Sequence, residues 1–305
     1  MSRAEPRYMG GQAVLEGVMM RGASTYAVAV RDPDGAIQVD VRAVPGWAER
    51  YRNIPVLRGV MGLGESLGLG YRALTWSANQ QVPPEQQVSE KAMGWSVGVA
   101  AIAFSALFII LPALAGRSLG HRFHGSFAIA EGVARLAIFV VYLLAISRVP
   151  DIRRVFEYHG AEHKTIAAYE NGVELTPETA QQFSTAHVRC GTNFLLTVMV
   201  VAILVYSVIP RPSLLFVIAS RVVLVPVIAG LSYEVIRWSA KNMHRAFVRV
   251  LMRPGLWLQK LTTRTPDLEQ LEVAITSLRA VMTADQLADV DGRVGLRVPA
   301  VAPAV

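Results

Sequence analysis

Long apolar runs alternate with polar stretches along this chain, and four of the runs approach the length needed to cross a lipid bilayer. A spanning helix takes about 20 predominantly apolar residues. The four runs are residues 93–116, 126–146, 193–209 and 213–238. The third is the shortest and would have to stand nearly upright. The pattern therefore predicts a mainly α-helical membrane protein with about four transmembrane helices.

The polar region before the first run is expected to contain a small β-structure. Apolar and polar side chains alternate in residues 26–31 and 37–42, on either side of an Asp-Pro-Asp-Gly turn at 32–35. Alternation around such a turn is typical of a β-hairpin. We therefore predict an N-terminal cytoplasmic region, residues 1–53, that carries a β-hairpin.

The next segment, 54–77, is apolar and glycine-rich, but charged residues interrupt it every seven positions. On a helix, Arg58, Glu65 and Arg72 would share one narrow stripe. We interpret 54–92 as an amphipathic, interfacial helix followed by a linker. A re-entrant or fifth spanning segment is the alternative, and a true fifth span would place the N-terminal region outside.

Basic residues recur every four positions at the end of the last run and beyond it: Arg237, Lys241, Arg245, Arg249 and Arg253. On one continuous helix they would face anionic lipid headgroups, each charge contributing on the order of 1 kcal/mol. A specific polyanionic partner is the alternative. Further on, Thr265-Pro266-Asp267 predicts the start of an amphipathic helix, with Thr265 as its N-cap.

Loop charges set the expected orientation, because arginine and lysine are concentrated in the middle loop and after the last run. The positive-inside rule then places both termini and the middle loop in the cytoplasm. Beyond residue 92 we expect five segments: transmembrane helices 1–2 (93–148), a cytoplasmic loop (149–192), transmembrane helices 3–4 (193–238), C-terminal basic and amphipathic helices (239–283) and a flexible tail (284–305).

Composition agrees with a membrane protein. The mean hydropathy is +0.36, and charged residues make up 17% of the chain, against roughly 25% in soluble domains. The net charge of +7 is explained by basic residues near helix ends, so no nucleic-acid partner is expected. Cys190 is the single cysteine, which excludes an intramolecular disulfide and fits a reducing compartment.

The richest chemistry lies in the middle loop, where His159 and His163 are four positions apart. Histidines at that spacing share one helix face and can hold one metal ion. With Glu162, the order His-x-x-Glu-His matches the inverted zinc-protease motif, in which the glutamate is the general base. Gly160 inside the motif makes the helix less certain, and two solvated loop histidines are the alternative.

Three further residues could complete a metal site. His187 and Cys190 lie three apart before the third run, and both side chains are good zinc ligands. The third and fourth runs form a tight hairpin, so Glu234 should lie at the depth of Cys190. A small buried hydrophobe is the alternative for Cys190, and an ion pair with Arg237 for Glu234. We predict a zinc or other divalent metal ion on His159, His163 and one or two of these three.

Charged residues also occur inside the apolar runs, where they are costly and usually paired. Glu131 and Arg135 lie one turn apart in the second run, and Arg221 lies at a similar depth in the fourth. We expect Glu131 to pair with Arg135, with Arg221 as a competitor. Replacing Glu131 and Arg135 together should then be milder than replacing Glu131 alone. A polar passage through the membrane is the alternative.

Four stretches occur together and in a recognisable order: GGQAVLEGVMMRG (10–22), EYHGAEHK (157–164), HVRCGTNF (187–194) and EQLEVA (269–274). In these, the chain resembles the bacterial YqhQ-like family, a family of unknown function, over residues 9–282. Its members are multipass membrane proteins described as predicted metal-dependent enzymes, usually with Pro where this chain has Val188. The resemblance implies a bacterial inner-membrane protein whose functional surface includes Gln12, Glu16 and Arg21.

Three functions are compatible with these features. The first is a membrane-embedded metal-dependent enzyme, a hydrolase with Glu162 as its base, acting at the cytoplasmic face on a lipid headgroup or an emerging peptide. The second is a non-catalytic membrane scaffold or assembly factor, stapled by a closed metal site or a His/Cys cluster. The third is a transporter through the Glu131 region, which would require oligomers. Expected partners are the bilayer, anionic headgroups on the basic C-terminal helix, and a second copy or another membrane protein.

Overall fold

The computed structural model describes residues 9–122, 127–209 and 213–296, and these are mainly helical, with a small antiparallel sheet near the N-terminus. The strands are β1 (Gly10–Val14), β2 (Gly17–Arg21), β3 (Thr25–Arg31) and β4 (Ile37–Ala43). The helices are α1 (Leu57–Gln80), α2 (Glu90–Ser105), α3 (Leu111–Arg122), α4 (Phe127–Ile146), α5 (Pro150–Glu170), α6 (Pro177–Gln181), α7 (Gly191–Ser207), α8 (Leu214–Val223), α9 (Val225–Lys241), α10 (Ala246–Thr262), α11 (Leu268–Ala280) and α12 (Ala284–Asp291). A π-helical turn, Ala106–Ile110, joins α2 to α3.

The sheet has the order β1-β2-β3-β4, and the predicted hairpin is its β3–β4 pair. The Asp32 carboxylate accepts the N–H groups of Asp34 and Ala36 across the turn, and Gly35 takes the φ of +88° that favours glycine. The β1–β2 pair was not predicted from the sequence. The reason is that β2 is covered on both faces and its residues do not alternate.

Helices cover both sides of the sheet. Val18, Met20 and Ala27 face a core formed with α5 and α11, whereas Tyr26 and Val28 face α1. A buried serine of α11, Ser277, ties this layer together. Its hydroxyl accepts the Met20 N–H at 3.1 Å and donates to the Ala27 carbonyl at 3.0 Å.

The segment predicted as an amphipathic helix is α1, which bridges the sheet and α9. Its charged stripe is engaged in contacts with both: Glu65 accepts hydrogen bonds from Arg21 and from the Ala48 N–H, and Arg58 binds Glu234. Among the described helices, α1 does not meet the length and hydropathy expected of a spanning helix.

Two helices are long and apolar enough to cross a membrane, Glu90–Gly116 and Ile129–Ile146. A third candidate is the pair α8 and α9, which is bent by 48°. The run predicted as the third span is α7, which has 17 residues and is shorter than the others. The described chain thus has two or three candidate spans, not clearly the four predicted. Large apolar side chains on these helices lack protein cover, as at Ile102 (73% exposed) and Leu215 (78%).

The charged residues inside the apolar helices form one buried group. Glu131 accepts from Arg135 at 2.6 Å and from two nitrogens of Arg221 at 2.5 and 3.1 Å. Arg135 also donates to the Phe108 carbonyl in the π-helical turn, at 3.0 Å. Arg221 is fully buried at the bend between α8 and α9, and its guanidinium lies 4.2 Å from the Tyr206 ring centroid. Arg221 therefore shares Glu131 with Arg135 instead of competing for it.

The C-terminal part differs from the sequence prediction in three places. The expected continuous basic helix is broken, because α9 ends at Lys241 and α10 begins after Arg245. The N-cap of α11 is Asp267, not Thr265, and it forms a capping box with Gln270. Helix α12 occupies part of the expected flexible tail, and residues 297–305 of that tail lie outside the described ranges.

Candidate metal centre

Helix α5 carries the His-x-x-Glu-His motif and runs unbroken through it. Gly160 is required by packing, because a Cβ there would lie 2.0 Å from the backbone oxygen of Arg264. The Arg264 N–H also donates to the Phe156 carbonyl at 2.8 Å, so this segment crosses directly over the helix. The glycine that made the helix uncertain from the sequence is the feature that lets a neighbouring chain segment approach.

His159, His163 and Cys190 converge into one group, with one potential ligand atom from each residue within 4.8 Å of the others. The Cys190 sulfur lies 3.3 Å from His159 Nε2, and the two imidazole ring centroids are 4.4 Å apart. Both His163 and Cys190 are buried. Three of the metal ligands proposed from the sequence therefore lie in one site in the structure.

Backbone carbonyls fix the orientation of both imidazoles. His159 Nδ1 lies 2.8 Å from the Thr262 oxygen, and His163 Nδ1 lies 2.5 Å from the Thr185 oxygen. A carbonyl can only accept, so each Nδ1 carries a proton, and Nε2 is the nitrogen that each imidazole can offer to a metal ion. Hydrogen bonding of the distal nitrogen is the usual support of a metal-ligating histidine.

Cys190 is the N-cap of α7, and the Thr192 N–H donates to its sulfur at 3.4 Å. This contact holds the sulfur at the start of the helix, on the side that faces His159. A third ligand thereby comes from a different part of the chain than the two histidines.

The Glu162 carboxylate borders the same group. Its Oε2 lies 3.8 Å from His163 Nε2 and 4.0 Å from His159 Nε2, and the residue is 5% exposed. Strand β1 closes over it, because a Cβ on Gly11 would lie 2.9 Å from Glu162 Cγ. The carboxylate is close enough to act on a group held by the histidines without being one of the three converging ligands.

His187 lies beside the group but not in it. Its Nε2 is 3.6 Å from Glu170, and its ring centroid is 5.6 Å from that of His163. Gln259 holds the backbone of His187 through two hydrogen bonds of 2.8 Å. Glu170, which also binds Arg189, keeps a lowered pKa: burial raises it, but these two partners outweigh burial.

Glu234 lies elsewhere, which corrects the prediction that it approaches Cys190. Its carboxylate accepts from Arg58 Nε at 2.7 Å and from the Val56 N–H at 3.2 Å. The alternative partner, Arg237, makes no hydrogen bond to Glu234 within the described chain, although the two charges attract each other. Equal depth in two helices does not place residues side by side, and no pattern in the sequence indicated that α1 would reach α9.

The three residues implied by the family resemblance have different surroundings. Gln12 lines the cavity of about 590 Å³ that contains the cluster. Glu16 binds Arg154 and accepts from the Tyr158 hydroxyl at 3.3 Å. Burial, with this carboxylate beside it, raises the pKa of Tyr158 well above its usual range. Arg21 pairs with Glu65, outside this cavity.

Sequence reasoning missed the groups that orient the site, namely the Thr185 and Thr262 carbonyls, Gln259 and Lys164. Lys164 is buried and donates to the carbonyls of Gln181 and Phe183 at 2.6 and 2.5 Å, which fixes the loop that presents Thr185. Burial lowers the pKa of Lys164. Backbone acceptors leave no signal in a sequence. Lys164, in contrast, directly follows the motif and could have been named as a candidate that supports the site.

These features define a mainly helical protein with several apolar helices. Its His/Cys cluster lies where the part built around the sheet meets those apolar helices. The chain belongs to the family described as "Protein of unknown function (DUF1385)", whose model matches residues 54–284. It is 35% identical over 307 residues to "Uncharacterized protein YqhQ" of Bacillus subtilis (strain 168), covering 94% of this chain and 96% of that protein. No solved structure matches. The predicted family is thereby confirmed, without a function attached to it.

Proposed function

We propose that this chain is a membrane-embedded, metal-dependent hydrolase that works at the cytoplasmic face. The observation that carries the proposal is the convergence of His159, His163 and Cys190, with both imidazoles oriented through Nδ1. Glu162 borders this group at 3.8 and 4.0 Å from the two Nε2 atoms.

The donor set fits zinc. Tetrahedral coordination with nitrogens at roughly 2.0–2.1 Å and sulfur at about 2.3 Å separates neighbouring donors by roughly 3.3–3.6 Å. A sulfur and a nitrogen fall at the upper end of that range, about 3.6 Å. The observed distance of 3.3 Å between the Cys190 sulfur and His159 Nε2 is close to that value. Three protein ligands from imidazole and thiolate leave a fourth position for substrate or water, as catalytic zinc sites do.

Glu162 has the position of a general base. A divalent ion on the three ligands would polarise a carbonyl or phosphoryl group and make water a better nucleophile. The Glu162 carboxylate would take the proton of that water and later return it to the leaving group. Gln12 and the rest of β1 would form the opposite wall of the cavity and position the substrate.

The membrane placement rests on exposed apolar surface. The two long apolar helices have only 17% and 28% of their most apolar windows buried. With α7 and the bent α8–α9 pair they would give four spans, placing both termini and the cluster in the cytoplasm. Helix α10 would lie along the interface, because Phe247 and Trp257 are 58% and 63% exposed next to the exposed Arg249 and Arg253.

One observation favours a non-catalytic alternative. Glu162 is close to both imidazoles, so a small rotation would make it a fourth ligand and close the site. Four protein ligands are typical of structural zinc. The chain would then be a membrane scaffold whose metal holds the loop before α7.

Metal content of the detergent-purified full chain tests the proposal. The protein should carry about one divalent ion per chain, and His163→Ala and Cys190→Ala should lose it. His187→Ala is the matched control and should keep it, because His187 faces Glu170. Equal loss in all three variants, or no ion in the parent chain, would contradict this ligand set.

Glu162→Gln separates the two functions. If the protein is a hydrolase, Glu162→Gln keeps its metal. The cobalt-substituted parent chain then changes its absorption when an external anion enters the open position. For a closed structural site, the variant loses metal and the parent spectrum does not respond to the anion.

A further inference from the structure

A second cavity, of about 990 Å³, lies beside the metal cluster. Five arginines but only two glutamates, Glu49 and Glu65, line it. The arginines come from β2, the turn before α1, α1 itself, the loop before α7 and the end of α9: Arg21, Arg52, Arg58, Arg189 and Arg237. Distant parts of the chain thus place positive charge around one space.

Four of these arginines have carboxylate partners: Arg21 with Glu65, Arg52 with Glu49, Arg58 with Glu234 and Arg189 with Glu170. The Arg52–Glu49 pair is weak, because the two side chains are 69% and 67% exposed. Arg237 makes no hydrogen bond with any residue in the described ranges, because Arg58 occupies the Glu234 carboxylate, and Arg237 interacts with Glu234 only through its charge. The residues that line the cavity therefore carry more positive than negative charge, five arginines against two glutamates.

The cavity adjoins the metal cluster. Arg189 and Gly191, the two neighbours of Cys190, line both this cavity and the one that contains the cluster. Phe194, in the first turn of α7, and Tyr233, about two turns before the end of α9, form part of its wall. In the proposed membrane placement these are the cytoplasmic ends of two spans, which is the depth of lipid headgroups.

We propose that this arginine cavity binds the phosphate of an anionic phospholipid headgroup and presents the lipid to the metal cluster. The assignment of the lipid as substrate rests on the proposed hydrolase function, whereas the binding itself does not. Guanidinium groups match phosphate oxygens in a planar, two-pronged geometry. A volume of about 990 Å³ is at the upper end of ligand sites, roughly 300–1,000 Å³. A headgroup with its glycerol backbone is a better match for such a space than phosphate alone.

One glycine allows the cavity to be filled without disturbing its ion pairs. Gly62 of α1 lines the cavity, and a Cβ there would meet no atom within 4 Å. Gly68, on the same helix, is equally open but does not line the cavity. Gly62→Leu should therefore obstruct the site, and Gly68→Leu is its matched control. Arg237→Gln and Lys241→Gln form a second, charge-matched pair on α9.

The experiment is a calorimetric titration of the detergent-purified full chain with dioctanoyl phosphatidic acid, dioctanoylglycerol and glycerol 3-phosphate. Only phosphatidic acid should bind saturably. Gly62→Leu should weaken this binding by about tenfold or more because its side chain obstructs the cavity. Arg237→Gln should weaken it by about tenfold or more, the loss expected for one charge-assisted hydrogen bond. The two control variants should stay within about twofold of the parent chain.

Two results would overturn the inference. Equal weakening in the cavity variants and their controls would mean that the lipid binds elsewhere. Glycerol 3-phosphate binding as tightly as phosphatidic acid would identify a soluble phosphate compound as the ligand. The same titration with His163→Ala separates the two proposals. If His163→Ala lacks the metal but still binds the lipid, the arginine cavity binds lipid independently of the metal site. If the parent chain carries its metal but does not bind the lipid, the lipid site alone is refuted.

Discussion

The buried group around Glu131 allows a prediction about the stability of the protein. The perturbations are Glu131→Leu, a double variant that adds Arg135→Leu, and a triple variant that also adds Arg221→Leu. In the structure, one carboxylate serves two guanidiniums, and Arg221 contributes two of the three hydrogen bonds to it. Removing Glu131 and Arg135 together therefore leaves a fully buried Arg221 without a counter-charge.

The magnitudes follow from this arrangement. Breaking a buried ion pair from one side costs about 3–5 kcal/mol, because a charge remains in a low dielectric. Glu131→Leu should reach that range, and the double variant should stay in it. Replacing all three with leucine removes every charge, and such replacements are often neutral or stabilising. Loss of the cation–π contact between Arg221 and Tyr206 offsets this by up to about 2 kcal/mol.

Unfolding in detergent, followed by fluorescence of the five tryptophans, measures the order of stability. We expect the parent and triple variants to unfold within a few degrees of each other, and the single and double variants to unfold well below both. A triple variant as unstable as Glu131→Leu would refute the reasoning. The charges would then have individual roles, as a polar passage through the membrane requires.

Three other predictions concern the site and the topology. Gly160→Ala should lower stability and metal content, because its Cβ would lie 2.0 Å from a backbone oxygen, whereas Gly98→Ala, which meets no atom within 4 Å, should change neither. The lowered pKa of Glu170 means that its stabilisation is fully present above a pH of about 4.5 and is lost as pH falls through the folded-state pKa. Glu170→Gln should flatten that acid limb of a stability-versus-pH curve. In a Cys190→Ser background, Ser118→Cys should react with an impermeant reagent from outside and Ser184→Cys only from inside; the reverse pattern would invert the proposed topology.

The parts of the fold that could be predicted are those where a local pattern has one explanation. The β3–β4 hairpin was predicted because a Pro- and Gly-containing turn separates two alternating segments, and β4 is an edge strand with one open face. Strand β2 was missed because helices cover both its faces, which removes the alternation. Helix α12 was missed although Thr283 and Gln286 form a capping box, since its apolar residues are sparse.

In the site, too, local spacing could be predicted from the sequence, whereas most tertiary contacts could not. The spacing of His159 and His163 follows from helix geometry, so a shared face could be predicted. The approach of Cys190 depends on where α7 begins, and its position as N-cap is compatible with the predicted run. Glu234 was misplaced because depth along a helix is one coordinate out of three, and Arg58 of α1 binds it from another side.

The position of the cluster at the junction of two differently built parts limits the functions it can have. His159 and His163 belong to α5, which packs against the sheet and α11 in the largest buried core. Cys190 starts α7, one of the apolar helices, and Thr262 ends α10, which packs against α7. A metal ion bound by His159, His163 and Cys190 would therefore join the part of the chain built around the sheet to the helices that we place in the membrane, whether or not it also catalyses a reaction. In the proposed membrane placement, the base and the ligands of a hydrolase would meet at the level of the lipid headgroups. A purely structural metal site would require only the ligands. Glu162 and the arginine cavity beside Cys190 are therefore the features that favour catalysis over a structural role.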